Sequence, residues 1–314
     1  DLVLSRGLGD VYKRQMKTCV ILCGGKATRL KATKINTPKC LIKIENIPCI
    51  VHICKELERA GFEKIILLTY KKFKIDFLKT NIYFSNLKSE IQTIFSNNQN
   101  GTLGDLVQIL NILPNRFAVA NGDTLIKLIG IKPQTLHPEG QKNYLCLGAS
   151  TRLDVGQCLV EGNKVTSFKE KENYEIQKSY TYLGICSLFK KNIIAFIDNL
   201  LSEKGNNISL ESDLFPILCK SNRLFSIILN DARHHDIGTV DRLKDAEKWI
   251  NKNPIKLIIL DRDNTINYDK GYTYKISDLK LIKKTINFIG KEYAKGSYFA
   301  VVSNQSGIGR NYFT

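Results

Sequence analysis

The stretch Val20–Leu30, VILCGGKATRL, followed after a short gap by Thr37–Ile44, TPKCLIKI, decides the fold. The run Thr18–Cys23 is short, apolar and partly β-branched, which predicts a buried strand. It stops at Gly24 and Gly25. Glycine lacks a Cβ, so the backbone there can approach a ligand closely and turn its amide N–H groups onto phosphate oxygens. Lys26, Arg29 and Lys39 follow within a few turns of chain, and Arg29 and Lys39 supply fixed positive charge for a polyphosphate. A lone glycine pair after a strand is usually a simple turn; its coupling to Thr37, Pro38 and Lys39 makes the phosphate reading specific.

Outward from this loop, strand-like and helix-like segments alternate. Ile50, Ile53, Cys54 and Leu57 recur at helical spacing before Gly61, and Lys64–Thr69 reads as a strand. Leu103–Leu113 is helical in period and ends at Pro114; Phe117–Ala120 is the next strand. The alternation predicts an α/β architecture, a mostly parallel sheet with helices on both faces, whose ligands sit at the carboxyl ends of strands. Asp123 follows its strand through Asn121 and Gly122, a small-residue approach with room for a metal and a nucleotide. Asp236, in HHDIGT, follows the apolar run Leu224–Leu229. Either aspartate alone reads as a turn or helix cap. His234 and His235 are neighbours and point to opposite faces of a strand, so neither is assigned to the site.

Composition sets the bounds. The 314 residues suggest about two domains, and 43% hydrophobic content suffices for ordinary cores. No apolar run reaches the roughly 18 residues of a membrane span. The 9 cysteines lie between Cys19 and Cys219 without a CxxC pair and read as reduced, buried thiols of a cytoplasmic protein. The net charge of +17 comes from lysines dispersed among isoleucines and asparagines, not from a basic run with interleaved aromatics. That excludes a nucleic-acid partner and leaves attraction of small anions. Residues 1–15 precede Met16, lack the patterns of signal and transit peptides, and look like adapter-derived translation; they read as a non-native leader.

A first domain is therefore expected over residues 16–252 and a second over 255–314, after the amphipathic stretch Val240–Ile250 and a hinge ending at Pro254. In the second, KLIILDRDNT (Lys256–Thr265) places Asp261 and Asp263 two apart at the end of a strand, on one side of an extended chain. One carboxylate can attack phosphorus while the other shuttles a proton. Another apolar strand in YFAVVSNQSGIGR (Tyr298–Arg310) ends at Ser303 and a glycine-rich loop.

These pieces resemble two families. Gly24-Gly25, Thr28-Arg29-Leu30, Pro38-Lys39, Asn121-Gly122-Asp123, Phe168-Lys169-Glu170-Lys171 and Asp236-Ile237-Gly238-Thr239 stand in the order seen in the sugar-1-phosphate nucleotidyltransferases, over roughly residues 16–250. The resemblance implies a Rossmann-like, GT-A-like domain. It implies Mg²⁺-dependent transfer from a nucleoside triphosphate to a sugar 1-phosphate, with Arg29 and Lys39 as catalytic cations. Gly24, Gly25, Thr28, Gly101, Gly104 and Asn121 would bind the nucleotide, Glu170, Lys171 and Gly184 the sugar phosphate, and Asp123 and Asp236 the metal. Ala27 stands where the family usually has glycine. Asn97–Gly104 lacks the acidic residue and proline usual ahead of Gly101-Thr102, in a stretch that helps to read the base.

DRDNTIN, Gly271-Tyr272 and SNQSGIGR resemble the haloacid dehalogenase superfamily of phosphatases, in its histidinol-phosphate and heptose-bisphosphate branch. That resemblance implies a Rossmannoid unit with Asp261 as nucleophile, Asp263 as general acid/base, both also as metal ligands, and Ser303 and Asn304 on the phosphate. Asn264 replaces the usual glycine. The sequence stops before the lysine and late acidic ligand of that superfamily, so this unit is expected to be incomplete, inactive and poorly folded. The combination implies a bifunctional enzyme of nucleotide-activated heptose synthesis, using GTP and D-glycero-D-manno-heptose 1-phosphate and feeding surface polysaccharide. Mannose or glucose 1-phosphate, or a non-catalytic nucleotide-sugar-binding relative, are the alternatives. Base, anomer and oligomeric state, a homo-oligomer included, stay open.

Overall fold

The apolar run at the start becomes β1 (Thr18–Leu22) and lies between β4 (Lys64–Tyr70) and β6 (Arg116–Asn121), parallel to both; Ile21 stands beside Leu67 on one side and Ala120 on the other. A parallel sheet is covered on both faces, which is why these strands are buried along nearly their whole length. The computed structural model describes residues 17–25, 37–97, 100–128, 131–136, 140–148, 155–170, 179–229, 232–252, 256–294 and 297–312. It divides into two units, Asp1–Trp249 and Ile250–Thr314.

The first unit is built on a nine-stranded sheet of order β5-β4-β1-β6-β11-β8-β12-β10-β9. Its further strands are β5 (Glu90–Ser96), β8 (Asn143–Gly148), β9 (Gln157–Glu161), β10 (Lys164–Lys169), β11 (Tyr180–Phe189) and β12 (Leu224–Ile228). The sheet is mixed, not mostly parallel as the alternation suggested. β11 runs antiparallel between β6 and β8, and β9 and β10 form a hairpin. The tight turn between β9 and β10 returns the chain antiparallel, and the helical spacing read from the first half does not extend to this part of the sheet. The helix expected at Leu103–Leu113 runs instead over Gly101–Val107 and continues as a 3₁₀ turn at Leu110–Ile112. Its apolar spacing persists because Leu103, Leu106, Ile109, Leu110 and Leu113 all enter one core with Val20, Val119, Leu145 and Phe215.

From β1 the chain steps outward to β4 and β5, then returns to β6 on the other side of β1. The order of strands therefore reverses between β1 and β6, and a crevice opens at their carboxyl ends. Beside the crevice β7 (Thr124–Lys127) pairs with β13 (Arg233–Asp236) as a separate antiparallel ladder, and β2 (Lys43–Ile44) pairs with β3 (Ile47–Pro48). Buried Glu56, on the helix Cys49–Ala60, anchors the ladder: it accepts from the Leu128 N–H at 2.5 Å, from Arg59, and lies 3.7 Å from Lys127 Nζ.

All nine cysteines are free and buried. Burial pushes the Cys19 and Cys23 thiols well above their ordinary range, so these side chains serve as neutral core. Among the described residues no helix is long and apolar enough to cross a membrane.

In the second unit β14 (Leu257–Leu260) and β17 (Tyr298–Val301) pair in parallel, with the helix Lys283–Ala294 between them in sequence; β15 (Asn267–Tyr268) pairs with β16 (Lys280–Leu281). The strand expected at Lys256–Thr265 ends at Leu260, because Asn264 takes a left-handed φ of 57° and turns the chain. Large apolar side chains stay open: Leu257 is 61%, Ile259 62% and Ile276 91% exposed.

Candidate active site

Cys23, Gly24 and Gly25 continue β1 at the carboxyl edge of the sheet, and Asn121, Gly122 and Asp123 leave β6 beside them. Lys39 enters from the 3₁₀ turn Lys39–Leu41. Its Nζ donates to Asp123 Oδ2 at 3.2 Å. Asp236 ends β13 directly opposite Thr124, and the Ile237 N–H donates to the Asp123 carbonyl at 3.0 Å. The ladder thus sets the two aspartates at one end of a rigid pair of strands. The sequence reading attached Asp236 to the apolar strand before it; it sits instead on its own short, polar strand.

Asp236 is held by Arg242, whose Nη1 stands 2.5 Å from Oδ1, and by the Gly238 N–H, 3.2 Å from the same oxygen. The alternation expected at the two histidines is present. His234 lines the crevice. The His235 ring donates toward the Arg242 carbonyl over 2.7 Å and stacks on Trp249 with centroids 5.9 Å apart.

Two hollows meet here. One, of about 270 Å³, lies between Gly24-Gly25, Tyr70, Asn121 and the start of the helix Gly101–Val107. The other, of about 370 Å³, lies toward Glu170, Tyr182, Gly184, Asp236 and Arg242. Lys39, Thr102, Asn121, Asp123 and Glu211 line both. The first offers backbone and an apolar wall suited to a nucleotide; the second offers carboxylates and cations suited to a sugar phosphate.

Several expected residues are brought together. Gly184 adopts φ +76° where the β11–β8 register slips between Tyr182 and Cys186, and its missing side chain leaves room beside Asn121 and Thr124. Glu170 lies in the second hollow and accepts from Ser212 Oγ at 3.0 Å. At Gly104 the face that a Cβ would occupy abuts the Asn206 carbonyl and Asn100, so this glycine serves close packing there. Thr28, Arg29 and Lys171 lie outside the described residues.

Tyr70, Thr102, Asp105, Glu211 and Arg242 line the hollows without having been singled out from the sequence. The one local signal was Ser209, whose side chain accepts from the Glu211 and Ser212 N–H groups as a helix cap should. Glu211 accepts from Thr102 Oγ1 and Ser209 Oγ, each at 3.2 Å. Burial, with Glu170 adding like charge, pushes its carboxyl above the usual range. The folded state therefore holds this proton more tightly than the unfolded chain, and stability falls as pH rises through the interval from the ordinary glutamate pKa to the raised one. Glu211→Gln is expected to raise the melting temperature of the ligand-free protein at pH 8, with the gain fading toward pH 4; melts at the two pH values check it.

Among the described residues no three metal-binding side chains cluster. Two carboxylates do, each compensated by a cation of the chain itself, Lys39 or Arg242. One or two carboxylates completed by substrate phosphates is the donor set Mg²⁺ uses, so Asp123 and Asp236 fit that ion.

In the second unit Asp261, Asp263 and Asn304 border one hollow, brought there by a turn and not by an extended strand. Arg262 grips Asp263 at 2.8 and 2.9 Å; Gln305 Nε2 donates to Asp263 at 3.1 Å and to Ser303 Oγ at 2.7 Å. Partial burial opposes ionisation there, but the hydrogen bonds from Arg262, Gln305 and Asn267 outweigh it and hold the Asp263 carboxyl below its usual range. In this arrangement Asp263 is an anion, suited to bind a cation.

The nucleotidyl transferase family model matches residues 18–253. Bifunctional protein GlmU of Methanococcus maripaludis is 28% identical over 236 residues, which are 74% of this chain and 54% of that protein. The chain thus spans about half the length of the curated relatives it matches in this way. D-glycero-beta-D-manno-heptose-1,7-bisphosphate 7-phosphatase of Pasteurella multocida is 42% identical over 59 residues, 19% of this chain and 32% of that protein. The crystal structure of HddC from Yersinia pseudotuberculosis superposes with a TM-score of 0.62 at 23% identity, covering 75% of this chain and 100% of that one. HddC has also been crystallised with GMP-PN. At this identity the likeness is one of fold.

Proposed function

The chain belongs to the nucleotidyl transferase family, and on that footing we propose that it transfers a nucleotidyl group from GTP to D-glycero-D-manno-heptose 1-phosphate, releasing pyrophosphate and a nucleotide sugar. The observation that carries this is the convergence of Gly24-Gly25, Lys39, Asp123 and Asp236 on one crevice where two hollows share a wall. An oxygen of the sugar phosphate attacks the α-phosphorus in line, a new P–O–P link forms, and the bond to the β-phosphate breaks.

The glycine pair holds phosphate oxygens on its amides. Lys39 can exchange the Asp123 carboxylate for a phosphate oxygen as charge builds there. Arg29 is assigned to the triphosphate, and Thr28 and Asn121 to the nucleotide. Glu170 and Glu211 accept sugar hydroxyls; Arg242 and Lys171 meet the sugar phosphate. Asp123 and Asp236 would hold Mg²⁺, which supplies neutralisation of the α-phosphate charge.

The heptose assignment is supported by the second unit. Asp261, Asp263, Ser303 and Asn304 are the residues by which it resembles a heptose bisphosphate phosphatase, and one such enzyme is 42% identical to this chain over 59 residues. We assign residues 16–252 to the transferase and 255–314 to the phosphatase-like part. A phosphatase acting on the bisphosphate would deliver the 1-phosphate that the transferase consumes. Steady-state pyrophosphate release with GTP and a panel of heptose, mannose and glucose 1-phosphates checks this. Heptose 1-phosphate is expected to give the highest kcat/KM; preference for mannose or glucose would keep the chemistry and overturn the substrate.

A further inference from the structure

Asp105 stands one helical turn after Gly101, on the wall of the smaller hollow, and is only 6% exposed. A buried carboxylate is costly unless its charge is met. Among the described residues no basic side chain pairs with it. Its hydrogen-bond partners are neutral donors: Ser96 Oγ at 3.4 Å and the Asn100 N–H at 3.2 Å, both to Oδ1; the phenol of Tyr70 lines the same hollow. Tyr70 ends β4 and crosses beneath the glycine loop, so close that a Cβ on Gly24 would stand 2.7 Å from its hydroxyl. Leu22 and Leu68 form the apolar wall beside this pair.

Two donors, both on Oδ1, leave acceptor capacity on a carboxylate, which has about four lone-pair sites. The phenol of Tyr70, on the same wall, also offers lone pairs to the hollow. The wall therefore presents two acceptors, and among the described residues no basic side chain forms a salt bridge with Asp105.

Resting on the nucleotide placement proposed above, we infer that Asp105, with Tyr70 beside it, reads the base of the nucleotide by accepting from two neighbouring N–H donors, and so selects guanine. Guanine carries such a pair, its ring N1–H and its 2-amino group. Adenine and cytosine offer one exocyclic amino group beside a ring acceptor. Uracil and thymine present carbonyl oxygens that would face the carboxylate. A site built to satisfy donors rejects an analogue lacking them, because its own buried groups are then left without partners. Asp105 also ties down the start of the helix at Asn100, so the test needs a reading that a loop tie alone would not move.

That reading is base selectivity. The full chain, with Mg²⁺, is titrated calorimetrically with GTP, ITP and UTP; ITP is GTP without the 2-amino group. GTP is expected to bind more tightly than ITP, and both more tightly than UTP. In Asp105→Asn, which keeps the shape and an acceptor for Asn100, the GTP-to-ITP preference is expected to fall by about tenfold, with UTP gaining relative to GTP. A folded Asp105→Asn protein whose two ratios match the unsubstituted chain would overturn the inference, as would tight UTP binding by the latter. Binding is read without turnover, so failure of nucleotidyl transfer and failure of base reading give separate results.

Discussion

Asp123→Asn is expected to lower kcat for pyrophosphate release by roughly 10²–10³-fold, and Asp236→Asn by a similar factor. Asparagine keeps the shape of each side chain and one acceptor oxygen but removes the charge, and charge is what a cation at the α-phosphate requires. The ladder that positions the pair is built from backbone hydrogen bonds and the Glu56 anchor, neither of which the substitutions touch. The Lys39 and Asp123 side chains are 15% and 31% exposed, so the ion pair they form is partly screened and its loss is worth no more than about 1 kcal/mol of stability. The double variant should be little worse than either single one, because both serve one cation. Steady-state kinetics with a thermal melt of each variant checks this. Activity within a few-fold of the unsubstituted chain in either would remove that carboxylate from the site.

Gly101→Ala is expected to be the most damaging single methyl group near the crevice. Gly101 has φ +74°, where an L residue is strained by about 1–2 kcal/mol. The added Cβ would also collide with the Ile208 carbonyl oxygen. That oxygen cannot easily yield, since it accepts from the Leu103 N–H at 3.0 Å and from the Gly104 N–H at 3.2 Å. Overpacking against backbone adds about 1–3 kcal/mol. The sum corresponds to a melting temperature lower by roughly 5–15 °C for a unit of this size. Thr102 and Asp105 follow Gly101 on the same short helix, so nucleotide affinity should fall as well. Calorimetric melting and GTP titration read the two effects; an unchanged melt would mean that the helix start adapts.

Much of the site was legible because its signals are local. Gly24-Gly25 and Asp123 each end an apolar run, and parallel strands place such ends on one edge, so those positions followed from the sequence before the sheet was known. Asp236 was reached through resemblance, since RHHD has no apolar period and its strand exists only through pairing with β7. The antiparallel half of the sheet was missed for a related reason: β11 is buried along nearly its whole length, and burial on both faces erases the alternation that would mark a half-exposed antiparallel strand. Tyr70, Asp105 and Glu211 were illegible because each acquires its surroundings from a distant segment. Glu211 meets Thr102 across more than a hundred residues of sequence, and Asp105, on a helix, shares its hollow with Tyr70 at the end of β4. Asp261 and Asp263 were read as neighbours on an extended chain; they do share a hollow, but through the turn at Asn264.

The most direct measurement is ³¹P NMR of the full chain with Mg²⁺, GTP and D-glycero-D-manno-heptose 1-phosphate. The expected spectrum loses the triphosphate and sugar phosphate resonances together and gains those of pyrophosphate and a sugar-linked diphosphate in equal amounts. An unchanged spectrum from folded protein with this and every other pair of nucleoside triphosphate and sugar 1-phosphate, or release of orthophosphate alone, would contradict nucleotidyl transfer at this crevice.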